Sequence, residues 1–262
     1  MHLDIALLQE QYGLDPRTTT LIHVGASLCQ EASYYANFNF KQVIWIEALK
    51  EIAEKARKEI AQFKNQHIVN ALCLAESGRL VSMNVSSNNS ESSSVLEPLR
   101  HKDVFRDIVF QNSGLNPIES TTLDNVIEIT EKTPNYILVL DVQGAELEVL
   151  KGALRTIERS LFIFCEVSAI SLYKNQVLVA DLVDFLESVD FKLLMHDISL
   201  GRAFGDALFR KVNNSESDEL KLLSGRPLTQ NYLRLIRIRH SKLIRYYDLV
   251  VGKIRQLRTK VN

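Results

Sequence analysis

Cysteine is scarce: Cys29, Cys73 and Cys165 are the only three in 262 residues, far apart and odd in number. There is no C-x-x-C pair, which excludes a zinc ribbon or a thioredoxin motif. Three unpaired thiols fit a reducing cytoplasm. Ten glycines, five prolines and no long polar tract exclude collagen, mucin and a mainly disordered chain. No apolar run reaches the about 18 residues that a membrane-spanning helix needs. The opening, MHLDIALLQEQYGLDP, lacks the basic-then-apolar pattern of a signal peptide. A cytoplasmic location is therefore expected.

What is present is ordinary globular material: 46% hydrophobic and 24% charged residues in 29.8 kDa. That length suits one large domain, or one domain with an appendage, and can bury a core without disulfides or structural metal. The net charge of −1 hides an asymmetry. Residues 221–262 carry eleven Lys/Arg and one acid, Asp248, so an acidic body carries a basic tail.

Along the chain, strand and helix signals alternate. Residues 1–15 read as a short helix. TTTLIHVG (18–25), QVIWIEA (42–48) and HIVNALC (67–73) read as apolar strands. Helical stretches at 29–37 and 50–63 separate them, the second with Ile52, Ala56, Ile60 and Phe63 on one face. Strands apolar throughout belong in a parallel sheet covered on both faces. RLVSMNVSS (79–87) alternates like a strand with one wet face, and short strands are expected near 106–111 and 118–123. SSNNSESSS (86–94) reads as a loop, either a disordered surface loop or a lid over a site. Alternation resumes with a buried strand at 135–144, a helix at 145–159, a strand at 161–167 and a helix at 177–189. An antiparallel pair at 191–198 and 206–212 closes the domain, expected to span 1–212. An acidic linker (213–219) and a long helix (229–261) follow.

Three places carry chemistry. The first strand runs into HVGASLCQE (23–31), where Gly25 would let the backbone approach a ligand and the next helix would offer free N–H groups. No second or third glycine follows at the dinucleotide spacing, so a G-x-G-x-x-G site is disfavoured. The second strand ends in Glu47, an acid able to accept the hydroxyls of an adenosine ribose, or else an ordinary strand-end acid. LDVQGAELEVLKGA (140–153) places Asp141 at the end of a central strand, at the carboxyl edge where open α/β sheets bind ligands. Glu146 opens the following helix, where an acid complements the helix dipole. Glu166 ends the next strand at the same edge.

HVGASLCQE, VIWIEA, the Ser-rich stretch, STTLD (120–124), LDVQGAELEVLKGA and CEVS…LY (165–173) together resemble FkbM-type methyltransferases, in order and spacing over residues 20–211. The resemblance implies a Rossmann-like class I fold: a mostly parallel sheet with helices on both faces and an antiparallel terminal strand pair. It implies S-adenosylmethionine as cofactor and methyl transfer to an oxygen, often a sugar or polyketide hydroxyl. By position, Gly25, Ala26, Ser27, Gln30 and Glu31 would line the methionine part of the cofactor, Glu47 would hold the ribose, and Ala71 and Leu72 would flank the adenine. Asp141 and Gln143 would stand between cofactor and acceptor. Many members carry an acid where His23 stands and a glycine where Cys29 stands. Loss of the acid removes a partner for the cofactor's amino group, and Cys29 would narrow the space beside the methionine.

The expected function is thus O-methylation of a sugar, glycan or glycolipid precursor. Asp141 is the first choice for orienting or deprotonating the acceptor, Glu166 the second and His196 the third. Asp141 with Glu166 could instead hold Mg²⁺, the less favoured reading. A non-catalytic scaffold that kept the fold is the alternative, favoured by His23 and Cys29. Nucleic-acid methylation ranks last, since no single-strand stacking platform or N-P-P-Y-like motif is present. In the tail, Ile236, His240, Leu243, Tyr247, Val250, Ile254, Leu257 and Val261 make a heptad seam. It would pack on the domain, pair with a second copy, or lie on an anionic membrane surface.

Overall fold

The computed structural model describes residues 3–100, 105, 107–112, 116–130, 133–198 and 204–212. The tail helix, its seam and the linker lie outside the described residues.

A seven-stranded sheet forms the centre: β1 (Thr19–Val24), β2 (Gln42–Glu47), β3 (Gln66–Asn70), β9 (Asn135–Leu140), β10 (Ser160–Ser168), β11 (Phe191–His196) and β12 (Phe204–Lys211). The spatial order is β11-β12-β10-β9-β1-β2-β3. Neighbours from β3 to β10 run parallel. β12 runs antiparallel to both β10 and β11. This is the class I methyltransferase-like sheet expected from the sequence, terminal antiparallel pair included.

Side-chain alternation sends each strand's residues into two cores. Ile22, Val24, Ile44, Ile46, Leu138 and Leu140 point to one face. There they meet α4 (Leu123–Glu128), α5 (Glu146–Lys151), α6 (Leu154–Glu158) and α7 (Val179–Glu187). Leu21, Val43, Trp45, Ile137, Val139 and Phe164 point to the other face. α1 (Ile5–Tyr12), α2 (Ala32–Ala36) and α3 (Lys50–Glu59) cover it. Both faces are dry, which is why these strands read as continuous apolar runs.

Three expected elements are interrupted. The strand over 67–73 stops at Asn70, whose side chain turns back to donate to the carbonyls of Glu47 (2.8 Å) and Ala48 (2.9 Å). Its remainder, β4 (Leu72–Cys73), joins β8 (Ile118–Thr121) and β5 (Leu80–Val81) in a separate small sheet. The alternating segment 79–87 is likewise two short strands, β5 and β6 (Asn84–Ser86), the latter paired with β7 (Phe110–Asn112). The helix expected over 145–159 is two helices, broken at Gly152. A β-carbon there would lie 2.2 Å from the Leu74 carbonyl oxygen, so the chain passes too close to its neighbour for an unbroken helix of ordinary residues.

Consecutive connections leave β1 in one direction toward β2 and β3, while β9 and β10 build out on its other side. The crevice above β1 and β9 is therefore the topological switch point where such sheets bind ligands.

Candidate active site

A cavity of about 340 Å³ opens at this switch point. Gly25, Ala26, Ser27, Gln30 and Glu31 line it from the β1 turn, Glu47 from the end of β2, and Ala71 and Leu72 from beyond β3. Asp141 and Gln143 follow β9, and Glu166 projects from β10. His196 is not among the lining residues. It sits on β11, paired with Ala207 of β12, and β12 separates it from β10.

The β1 turn is held by backbone. The N–H groups of Gly25 and Ala26 both donate to the Ile46 carbonyl at 2.9 and 3.0 Å, and Asp141 N–H donates to Val24 O at 2.9 Å. Gly25 has φ +86°, and a β-carbon on it would fall 1.8 Å from the Asp141 carbonyl oxygen. Only glycine lets the two strand ends approach this closely. Ser27 and Cys29 also adopt left-handed backbone, at φ +44° and +56°.

Glu47 fastens that turn. Its Oε2 accepts the Ser27 N–H at 2.9 Å and its Oε1 the Leu49 N–H at 2.8 Å. Burial raises its pKa, while these two donors pull it down. Each oxygen keeps a further lone pair for a ligand.

The acids at the β9 and β10 ends are bridged by one amide. Gln143 Nε2 donates to Asp141 Oδ1 at 2.8 Å and to Glu166 Oε2 at 3.0 Å. Burial pushes the Asp141 pKa up to about 6, with the Asp206, Glu31 and Glu91 charges adding to it and the Gln143 hydrogen bond opposing it. Glu166 is raised well above the carboxylate range by burial and by the Asp141 charge. Both carboxyls therefore hold a proton to higher pH than free acids do, and they titrate as a pair. The amide nitrogen is a donor placed against both carboxylates, where Mg²⁺ would need acceptors alone. Among the described residues no group of three or more His, Cys, Asp and Glu is arranged to hold a metal ion.

Glu146 has a different task. Its Oε1 accepts the N–H of Gly144 at 3.1 Å and of Val142 at 3.3 Å, closing the turn that carries Gln143. Burial pushes its pKa up to about 7.

The Ser-rich segment is a packed wall of the site. Asn88, Ser90, Glu91, Ser92, Ser93 and Ser94 line the cavity. Ser86 N–H donates to Ser93 Oγ and Ser92 N–H to Ser86 Oγ, both at 3.0 Å, so the hydroxyls satisfy the loop's own backbone. Ser94 Oγ donates to the Gln143 carbonyl at 2.8 Å. The Tyr173 hydroxyl lies 2.8 Å from Ser92 O and 3.2 Å from Gln143 Oε1. Ser94 and Tyr173 had no role in the sequence reading. Tyr173 closes the CEVS…LY string, which was the signal available for it.

The two departures read differently in three dimensions. The Cys29 side chain lies in the core beside α2, away from the cavity lining, and burial pushes its pKa up to about 12. It leaves the cavity unnarrowed, and its left-handed backbone is the conformation that favours glycine at this position. His23 does line the cavity, stacked on Trp45 at 4.9 Å with Nδ1 3.3 Å from the Tyr35 hydroxyl. Burial lowers its pKa to about 3, so it is neutral and brings no charge to the site.

A model of the FkbM methyltransferase domain matches residues 22–193. The chain belongs to the FkbM methyltransferase family. Over 99 residues it is 28% identical to the 2-O-methyltransferase NoeI of Sinorhizobium fredii (strain NBRC 101917 / NGR234). That stretch is 38% of this chain and 40% of NoeI, so the match spans less than half of the curated relative. Among solved structures it is similar to magnesium protoporphyrin IX methyltransferase (ChlM) from Synechocystis PCC 6803 with bound SAH, at 9% identity, 80% of each chain and TM-score 0.46. It is also similar to a SAM-dependent methyltransferase from Aquifex aeolicus, at 13% identity, 80% of this chain, 90% of that one and TM-score 0.41.

The cavity suits S-adenosylmethionine, the cofactor that the resemblance implies. Its volume falls in the range of about 300–1,000 Å³ typical of small-molecule sites. Among the described residues Ser27 Oγ is buried without a hydrogen-bond partner. The described lining has five carboxylates, from Glu31, Glu47, Glu91, Asp141 and Glu166, and no Lys or Arg, a field that favours a sulfonium cation. No helix among the described residues is long and apolar enough to cross a membrane.

Proposed function

We propose that this methyltransferase methylates a hydroxyl of a sugar, glycan or glycolipid precursor, with Asp141 as the base. The observation that carries the reading is the Gln143-bridged pair of Asp141 and Glu166, beside the glycine turn at the switch point. The 2-O-methyltransferase activity in NoeI's name supports oxygen as the acceptor atom.

Glu47 would hold the cofactor's ribose, and Ala71 and Leu72 the adenine. The β1 turn from Gly25 to Glu31 would hold the methionine part. When bound, S-adenosylmethionine supplies an electrophilic methyl group on a sulfonium. In the transfer an oxygen–carbon bond forms as the carbon–sulfur bond breaks, and the hydroxyl proton passes to Asp141. Asp141 is suited to that task because it is ionised at neutral pH yet raised toward it, close to the optimum for a general base.

Methyl transfer from labelled S-adenosylmethionine to a panel of mono- and oligosaccharides, followed by linkage analysis, tests the acceptor. Transfer to amine or carboxyl groups in place of hydroxyls would refute the reading. With an acceptor in hand, Asp141→Asn should reduce kcat by about 10²–10⁴-fold, the usual worth of a general base. Cofactor affinity should stay within a few-fold. Wild-type kcat should fall with acidification through about pH 6, where Asp141 takes up its proton. If Asp141→Asn turns over within a few-fold of wild type, the proton goes elsewhere, with Glu166 next in line.

A further inference from the structure

Gln143 touches both the acid pair and the Ser-rich wall, and each of its polar groups is committed. A primary amide has two N–H donors, enough for one bond to Asp141 (2.8 Å) and one to Glu166 (3.0 Å). Its Oε1 lies 3.2 Å from the Tyr173 hydroxyl, which shares its one proton between that oxygen and Ser92 O at 2.8 Å, and its backbone carbonyl accepts from Ser94 Oγ at 2.8 Å. The backbone is left-handed, φ +53°, a conformation unfavourable for a residue with a side chain. Such a conformation persists where surrounding bonds over-determine it. Here those are Ser94 on one side and the Glu146-capped turn on the other.

The geometry points to Gln143 as a positioning residue: it holds the Asp141 carboxylate in its working orientation, and Ser94 and Tyr173 hold Gln143. The inference deepens the methyl-transfer reading and rests on Asp141 being the base. Two adjacent carboxylates on the cavity wall repel as they ionise, and each would rotate away from the other. An amide that donates to both removes that freedom and stabilises the ionised form of Asp141. Because Ser92 and Ser94 also wall the cavity, any movement of the Ser-rich segment reaches the base through Gln143 and Tyr173.

The test is a carbon-13 NMR titration of the aspartate carboxyls in the full chain, with Asp141 assigned by its loss in Asp141→Asn. Besides Glu166, the groups facing Asp141 are Asp206, Glu146, Glu31, Glu91, Glu47, Tyr35 and Tyr173, and all but Tyr173 are kept in every variant. Gln143→Met keeps the length and loses the donors. The Asp141 midpoint should rise by about one unit or more, the size of a lost hydrogen bond to a charged group. Tyr173→Phe and Ser94→Ala leave Asp141 untouched directly, yet should raise its midpoint by a smaller amount. Ser90→Ala, in the same segment but with no bond to Gln143, should leave it in place. The acid limb of the pH–rate profile should move with the titration.

An unmoved Asp141 midpoint in a natively melting Gln143→Met protein would overturn the proposal. So would unmoved midpoints in both Tyr173→Phe and Ser94→Ala, since Gln143 would then need no support from the wall. Neither result depends on turnover. Retained activity in Asp141→Asn would instead overturn the base reading, so the two failures are separable.

Discussion

At Glu47 one carboxylate accepts the N–H groups of Ser27 and Leu49 and still faces the cavity. Truncation therefore does two things. Glu47→Ala strands two backbone donors at the turn, each worth about 1–3 kcal/mol if left unpaired, so the melting temperature should fall. It also removes the acceptor for the ribose hydroxyls, so cofactor binding should weaken by about 1.5–3 kcal/mol. Calorimetric titration with S-adenosylmethionine, at a temperature where the variant is folded, separates the two effects. Affinity equal to wild type in the folded variant would mean that Glu47 only fastens the turn and that the ribose is held elsewhere. Glu47, Gly25 and Asp141 could be picked out from sequence because each ends an apolar run, and strand ends share one edge. Ser94 could not, because its partner Gln143 lies 49 residues away, and Tyr173, 30 residues from Gln143, was marked only by the CEVS…LY string. Hydroxyl-to-carbonyl pairing over such separations leaves no periodic trace.

Elements were legible where burial alone decides them. β1, β2, β9 and β10 fell where continuous apolar runs lie, because both faces of each are covered. Breaks caused by a neighbour's backbone were not legible. Leu147, Leu150, Leu154 and Ile157 keep a helical spacing straight through Gly152, yet the helix breaks there: Gly152 O accepts the Asp124 N–H at 3.0 Å, and the Asp124 carboxylate takes the N–H groups of Arg155 and Thr156. Gly152→Ala should consequently destabilise the fold. A β-carbon at 2.2 Å from a backbone oxygen cannot be accommodated by a rotamer change, and overpacking of this kind costs about 1–3 kcal/mol. Urea unfolding of the variant checks it. A midpoint equal to wild type would show that the α5–α6 junction shifts freely. Strand order was the other hidden quantity. β11 precedes β12 in the chain but lies outside it, so His196 ends up beyond the strand that borders β10. A chain-order reading places it one strand too near the site. The Ser-rich stretch, read as either a disordered surface loop or a lid over a site, lines the cavity, and its hydroxyls bond to one another and to the β9 turn.

Across the whole molecule the carboxyl edge of the sheet concentrates acid. Asp141, Glu146 and Glu166 all have pKa values raised by desolvation first; the Asp141 charge adds to the rise at Glu146 and Glu166, and Glu146 to that at Glu166. For such groups the folded protein binds more protons than the unfolded chain between the two pKa values. Stability then falls as pH rises through that window, since the slope follows protons bound unfolded minus protons bound folded. For Glu146 the window runs from its ordinary value near 4.5 up to about 7. Its oxygen is needed only as an acceptor for Val142 and Gly144 N–H, a task a carboxamide oxygen can do without charge. Glu146→Gln should therefore match wild type in stability below about pH 3.5, where Glu146 is protonated in both folded and unfolded protein. Above pH 7 the variant should be more stable by up to about 3 kcal/mol, the difference in pKa expressed as free energy. Urea unfolding of both proteins at several pH values measures it. A stability difference that stays constant from about pH 3.5 to about pH 8 would show that Glu146 ionises in the folded protein as it does in the unfolded chain.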